Sequence, residues 1–357
     1  MADVVDPTEV LCVARGIATA VAPDDGITET QALILNAITN ALTATDVDYH
    51  HLEPFGPDEL AAVLEPHDLA YRQRIVHHMV LGELVLKPLP TEVAHRVAVY
   101  ANALGVDDHF VRVARRYAQG AYGMAWKDLR RSGFVDHVKD VDSSLMRAGI
   151  QATDPFVSPG PDPALEARWA AFEELAPGTL GRSVWEMYHG RGFGLPGSPG
   201  GASGYLAQHD FCHVLADYGT NLKGELEVFA FVGRADPDPK GFAWLATLIG
   251  LFETGYVADT GFFTRDVQEH NLQAPGMQHR LADAIARGKQ VAEVYGTDLF
   301  EVDYHSMAHL PVDDVRERLC VRPKSRAALD APSPGLFDRE GMSANQQQYV
   351  DEHAGDA

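Results

Sequence analysis

The sequence predicts an all-α protein of two helical domains joined by a Pro-rich linker and followed by a disordered tail. Apolar residues recur at three- and four-residue spacing through 29–45 ("ETQALILNAITNALTAT"), through "YRQRIVHHMVLGELVL" and through 92–118, the period of a helix with one face on a core. No run alternates apolar and polar residues as a half-buried strand does. Helix-start signals stand where these faces begin: Thr28 precedes an acidic first turn in "DDGITE", and Thr91 takes an N-cap place in "PLPTEV".

The elements follow in order. A chain of 357 residues is long for one core, so two domains are the expectation. Residues 1–150 form the first helical domain. The stretch "ATDPFVSPGPDPA" holds four prolines and a glycine among polar residues and places a linker at 151–164. A second helical domain spans 165–325. Residues 326–357 are rich in Pro, Ser, Gln and Asp, with two basic against six acidic side chains, and read as a disordered tail.

Charge and cysteine content narrow the function. A formal charge of −22 repels phosphate backbones, and no Lys/Arg run offsets it, which argues against nucleic acid as a partner. Cys12, Cys212 and Cys320 are odd in number and far apart, which argues against a disulfide framework and a thiolate zinc site. The N-terminal stretch lacks a basic, then apolar, leader, and the expected location is the cytoplasm. The most apolar stretch, "FAWLATLIGLFETGYVADTGFF", is broken by Thr247, Gly250, Glu253, Thr254 and Asp259, too soon for a membrane span. Peripheral membrane contact and a homo-oligomer stay open.

The segment with the most chemistry is "HDFCHVLADYGTNLKGE", His209 to Glu225. On a helix His209 and His213 lie one turn apart on one face and present two imidazoles to a single ion. Gly219 offers a helix stop, and Thr220 or Asn221 a cap for a second helix with Glu225 in its first turn. A tight reversal would swing that carboxylate back to the histidines. Asp210 is then a fourth ligand or an orienting partner for a ligand histidine. With sixteen histidines in the chain a four-spaced pair decides little by itself. The adjacent acid, the turn and the returning glutamate set this pair apart from His305 and His309.

The same residues carry a family resemblance. The pattern HDxxH, eleven residues, then Glu is similar to the signature of the ubiquinone (coenzyme Q) biosynthesis protein 4 family. "PGTLGRSVWEMYHGRGF" (177–193) resembles that family's PGTLG segment, and "AIARGKQVAEVYGTDLFEVDYHSMAHLPVDDVRERLCV" its closing helix and end. The likeness covers about residues 165–322. It implies an all-α fold and a divalent metal, usually zinc, with iron, manganese or cobalt chemically allowed. Carried over, His209, Asp210, His213 and Glu225 are the ligands, and Asp210, if not a ligand, is the candidate catalytic proton acceptor. It also implies a prenylated aromatic or other hydrophobic small molecule as partner. The implied work is C1 decarboxylation or hydroxylation of a quinone precursor, or the organisation of a biosynthetic complex as a lipid-binding scaffold with a structural metal. Residues 20–125 also resemble a TerB-like helical module. Asp24, Asp25, Glu29 and Glu83 match its acidic positions, although helix caps and solvated faces are the preferred reading.

Other features have plainer readings. The glycine-rich stretch 190–204 follows no strand and lacks a phosphate-loop lysine; it reads as a mobile loop before the histidine helix, or as a lid. Phe242, Leu245, Ile249, Phe252 and Tyr256 repeat at helical steps with Trp244, Leu248 and Leu251 on a second face, a core helix or a lipid-facing wall. His305 and His309 precede Pro311, where a partly protonated ring would complement a helix end. His77 and His78 receive no role. Cys212 reads as a buried packing thiol.

Overall fold

The computed structural model describes residues 6–119, 160–254 and 270–354. Among them the fold is all-α, without a strand; a lone antiparallel bridge joins Thr179 and Pro311. In chain order the helices are α1 (Pro7–Val21), α2 (Glu29–Thr43), α3 (Pro57–Leu64), α4 (Leu69–Leu84), α5 (Thr91–Ala103) and α6 (His109–Ala118). After these come α7 (Pro163–Ala170), α8 (Leu180–His189), α9 (Gln208–Ala216), α10 (Leu222–Ala235), α11 (Ala243–Leu248) and α12 (Met277–Val294). Four short helices close the chain: α13 (Tyr304–Met307), α14 (Val312–Arg318), α15 (Arg326–Asp330) and α16 (Ala344–His353).

Two compact units result. The first comprises the described residues of 1–134 and 238–286, the second those of 135–237 and 287–357. This division differs from the contiguous split expected at the linker. Residues 238–286 leave the second domain because their apolar side chains find the first core: Phe242, Leu245, Leu248 and Ile249 are buried, and Phe242 meets His78 edge-on at 5.4 Å. The expected long helix here is short, α11 passing into a π-helical turn over Ile249–Glu253; Tyr256 lies outside the described residues. Of the expected linker, 151–159 also lies outside them, and Asp162 already caps α7 through Ala164 N and Leu165 N.

The first unit is held by helix ends as much as by helix faces. Thr28 and Gln31 form a reciprocal capping box at α2, satisfying two donors that a helix start leaves open. The Gln31 amide also donates to Val21 O (2.8 Å) and Gly82 O (3.0 Å), tying α1, α2 and α4 at one buried point. At α5 the cap is Pro90, with Thr91 the first helical residue, one step from the expected register. His77 sits between Pro239 O (2.7 Å, from Nδ1) and Asp108 Oδ2 (2.9 Å, from Nε2); sequence reading gave this pairing no signal. Asp24, Asp25 and Glu29 are exposed, whereas Glu83 is fully buried. For Glu83 the solvated-face reading fails: burial pushes its carboxyl well above the usual range, and neither oxygen has a hydrogen-bond partner among the described residues.

The second unit has an aromatic core. Trp169 packs against Phe172, Tyr188 and Phe211 at centroid distances of 5.2–5.7 Å, and Phe211 stacks on Tyr304 at 4.7 Å. His305 joins this cluster 5.1 Å from Phe172. Burial lowers its pKa to about 4, so it is neutral near pH 7 and serves packing rather than a helix end; His309 is exposed. Cys212 is a buried thiol 3.5 Å from the Tyr304 hydroxyl. The glycine-rich stretch is anchored rather than loose: Gly197 O accepts from Asp162 N at 2.8 Å, and the Tyr349 ring lies where a Cβ on Gly192 would reach it at 2.7 Å.

The segment after residue 325 departs most from expectation. Instead of a disordered tail it forms α15, a 3-10 turn at Arg339–Gly341 and α16. Ser325 and Ser343 cap these helices, the latter in a capping box with Gln346. Polar composition signals disorder because it leaves little to bury; here polar groups of the segment pair with side chains and backbone elsewhere in the second unit, Ser333 with Glu227 and Gln346 with Thr220 among them.

Candidate metal centre

The centre is built on α9, α10 and the reversal between them. Ser203 leads into α9, accepting from Leu206 N through its hydroxyl and from Ala207 N through its carbonyl. The helix stops at Ala216 because Asp217 turns left-handed (φ 59°, ψ 48°), two residues before the expected stop at Gly219. Asn221 then caps α10, its side chain accepting from Gly224 N at 2.9 Å. Gly224 has no alternative: a Cβ there would lie 2.0 Å from Gly219 O. One turn into α10, Glu225 faces the histidines.

The reversal brings the four sequence candidates together. His209 Nε2 lies 3.5 Å from Asp210 Oδ1 and 3.6 Å from Glu225 Oε2, and His213 Nε2 lies 3.4 Å from Glu225 Oε1. His209, Asp210 and His213 each offer one ligand atom, all within 4.8 Å of one another, so the group can hold a metal ion. The separations favour shared ligation over direct pairing. They exceed ordinary charge-assisted hydrogen-bond lengths, and two donors about 2.0–2.1 Å from a tetrahedral ion sit about 3.3–3.4 Å apart. His213 Nε2 is buried without a hydrogen bond to any described group.

The other ring nitrogens reinforce this fit. His209 Nδ1 is 2.5 Å from Leu206 O, and His213 Nδ1 is 3.2 Å from Tyr218 O. A carbonyl only accepts, so each Nδ1 carries a proton and each Nε2 is directed at the centre, the arrangement that orients metal-ligating histidines. Phe229 stacks on the His209 ring at 4.9 Å and fixes its plane. His213 is wholly buried at the floor, while His209, Asp210 and Glu225 side chains keep 10–14% exposure.

Electrostatics follow from the crowding. Burial disfavours charge on His209, but Asp210 and Glu225 outweigh it and hold the imidazole up to about 9. Burial likewise opposes the Glu225 charge, and His213 with His209 overcomes it, holding that carboxylate down to about 2. Asp210 is raised by burial, against the pull of both histidines and of a 2.5 Å hydrogen bond donated by Tyr188. Protein alone thus concentrates acids and imidazoles at a point where a cation would replace a proton.

Three supporting side chains were not marked as such by sequence reading. Tyr188 lies in the quoted 177–193 segment, but nothing local marks its hydroxyl as the partner of Asp210. Arg316 donates to Val214 O (3.0 Å) and Leu215 O (2.9 Å). Arg287, 1% exposed, donates to Ala216 O at 3.0 Å. Two guanidinium groups thus satisfy the last carbonyls of the helix that carries both histidines, a role cations favour at helix C-termini. Comparison with protein-family profiles, with curated proteins and with solved structures finds no match for this chain.

Proposed function

We propose that the second unit is a divalent-metal centre, with His209, His213, Glu225 and Asp210 as the donor set and zinc as the resident ion. One observation carries the reading: two imidazoles whose Nδ1 atoms are committed to carbonyls turn both Nε2 atoms toward one carboxylate at ligand-edge separations. Two nitrogens with carboxylate oxygens suit zinc and also iron, manganese or cobalt.

The substrate class rests on the resemblance of residues 165–322 to the ubiquinone biosynthesis protein 4 family. On that reading the partner is a prenylated aromatic, and the reaction is C1 decarboxylation or hydroxylation of a quinone precursor. A bound ion would supply Lewis acidity toward an oxygen of the head group. Tyr188 and Asp210 form the polar wall beside it: Oδ2 of Asp210 accepts the tyrosine proton donor, and Oδ1 stays turned toward the centre. Asp210 is thereby placed to take a proton at Oδ1 if it is not itself a ligand. An open coordination position on the bound ion would support this catalytic reading, and a closed one a structural role.

The test is elemental analysis of the purified protein, with mass spectrometry of any co-purified hydrophobic molecule. One divalent ion per chain is expected in the wild type, and none in His213→Ala. Equal metal content in the two proteins would refute the assignment.

A further inference from the structure

Glu225 meets the histidines only because the chain reverses over Asp217–Asn221, and the C-terminal segment holds that reversal from outside. Gly341 O accepts from both Thr220 N (2.7 Å) and Asn221 N (2.9 Å). The Asn221 side-chain amide donates to Glu340 O at 2.7 Å. Gln346 accepts from the Thr220 hydroxyl at 2.9 Å and donates to Thr220 O at 3.3 Å. Asp217 Oδ1 accepts from Leu336 N at 2.9 Å. Contact is close enough to demand glycine on both sides: a Cβ on Gly219 would lie 2.5 Å from Gly341 Cα, and a Cβ on Gly341 would lie 3.1 Å from Gly219 Cα.

This attachment is mainly polar. Helix α16 has no buried residue, and within 331–354 only Ala331, Ser333, Leu336 and Gly341 are buried. Segments with few buried apolar contacts open at low cost compared with a core. The turn, by contrast, has no slack, with Asn221 capping α10 and Gly224 packed on Gly219 O. Whatever fixes the turn fixes where Glu225 points.

We infer that Gly341 and Gln346 are positioning residues of the metal centre, forming a C-terminal strap whose seating and the binding of a divalent cation reinforce each other. The inference rests on the metal reading above. Coupling of this kind is reciprocal: if the strap tightens the site for the ion, the ion must tighten the strap by the same factor.

Both directions are measured on the full-length protein, well below its unfolding temperature. Zinc affinity is read by chelator competition for the wild type, Gln346→Ala, Gly341→Val and Gln347→Ala. Amide hydrogen exchange over 336–347 is read with and without zinc. Gln346→Ala is expected to weaken zinc about tenfold, and zinc to slow exchange in the strap. The Gln347 side chain donates to Arg339 O and Met342 O within the strap rather than to the Asp217–Asn221 turn, so Gln347→Ala keeps wild-type affinity; if Gly341→Val does not fold, Gln346→Ala decides. Wild-type zinc binding with unchanged affinity in Gln346→Ala and unchanged exchange overturns the strap and leaves the metal reading intact. No zinc uptake by the wild type overturns the metal reading, and the coupling with it.

Discussion

Replacing Arg287 with methionine is expected to be among the most destabilising single changes in the second unit. The guanidinium is 1% exposed and donates to Ala216 O at 3.0 Å and Arg322 O at 2.9 Å. It also lies over the Tyr218 ring at 5.0 Å and the Phe231 ring at 5.7 Å. Methionine keeps most of the aliphatic stem, so the change removes polar contacts more than volume. The buried Ala216 carbonyl deprived of its donor costs about 1–3 kcal/mol, the part-buried Arg322 carbonyl, which water can reach, about 0.5–1 kcal/mol, and loss of the cation–π contact about 1–2 kcal/mol. The total is about 4 kcal/mol. For a unit of this size 1 kcal/mol moves Tm by roughly 2–4 °C, so a fall of order 10 °C is expected. Differential scanning calorimetry of metal-free protein measures it. Arg287→Lys should recover less than half of the loss, since one ammonium does not span both carbonyls with the geometry of a guanidinium. A shift under about 2 °C in Arg287→Met, within the range of an ordinary surface change, would refute the argument that this side chain secures the end of the histidine helix.

Other outcomes follow from the same contacts. Tyr188→Phe removes the hydroxyl that donates to Asp210 at 2.5 Å and should lower the stability of metal-free protein by about 1.5–3 kcal/mol, read from urea unfolding midpoints at unchanged slope. His305 has its pKa lowered from 6.5 to about 4, chiefly by burial. Above pH 6.5 neither state binds the proton; below it the unfolded chain takes up a proton that the folded chain declines, so this group subtracts stability as pH falls from 6.5 toward 4 and subtracts no more below. Unfolding curves of wild type and His305→Gln should therefore converge or cross over that window, and parallel curves would count against the assignment.

Much of the fold was legible because its signals are local. Helical periodicity belongs to a single segment, and so does the cap residue Thr28 before its acidic first turn; neither needs knowledge of what the helix packs against. The central motif was legible for the same reason, since one turn of helix and one reversal span only His209 to Glu225. Location of the reversal was less so: Asp217 takes the left-handed stop and leaves Gly219 for close contact with Gly341, a distinction set by a segment more than a hundred residues away.

What the amino-acid order determined alone was therefore the helical class and the gathering of two imidazoles with acids on neighbouring turns. Tertiary structure decided the rest: that residues 238–286 join the first unit, that Tyr188 fixes one oxygen of Asp210, that Arg287 and Arg316 hold the end of α9, and that 326–354 is ordered. Each of these joins groups apart in sequence, and for Arg287, Arg316 and the C-terminal segment the partners include backbone carbonyls and amides, which every residue carries and no composition reveals.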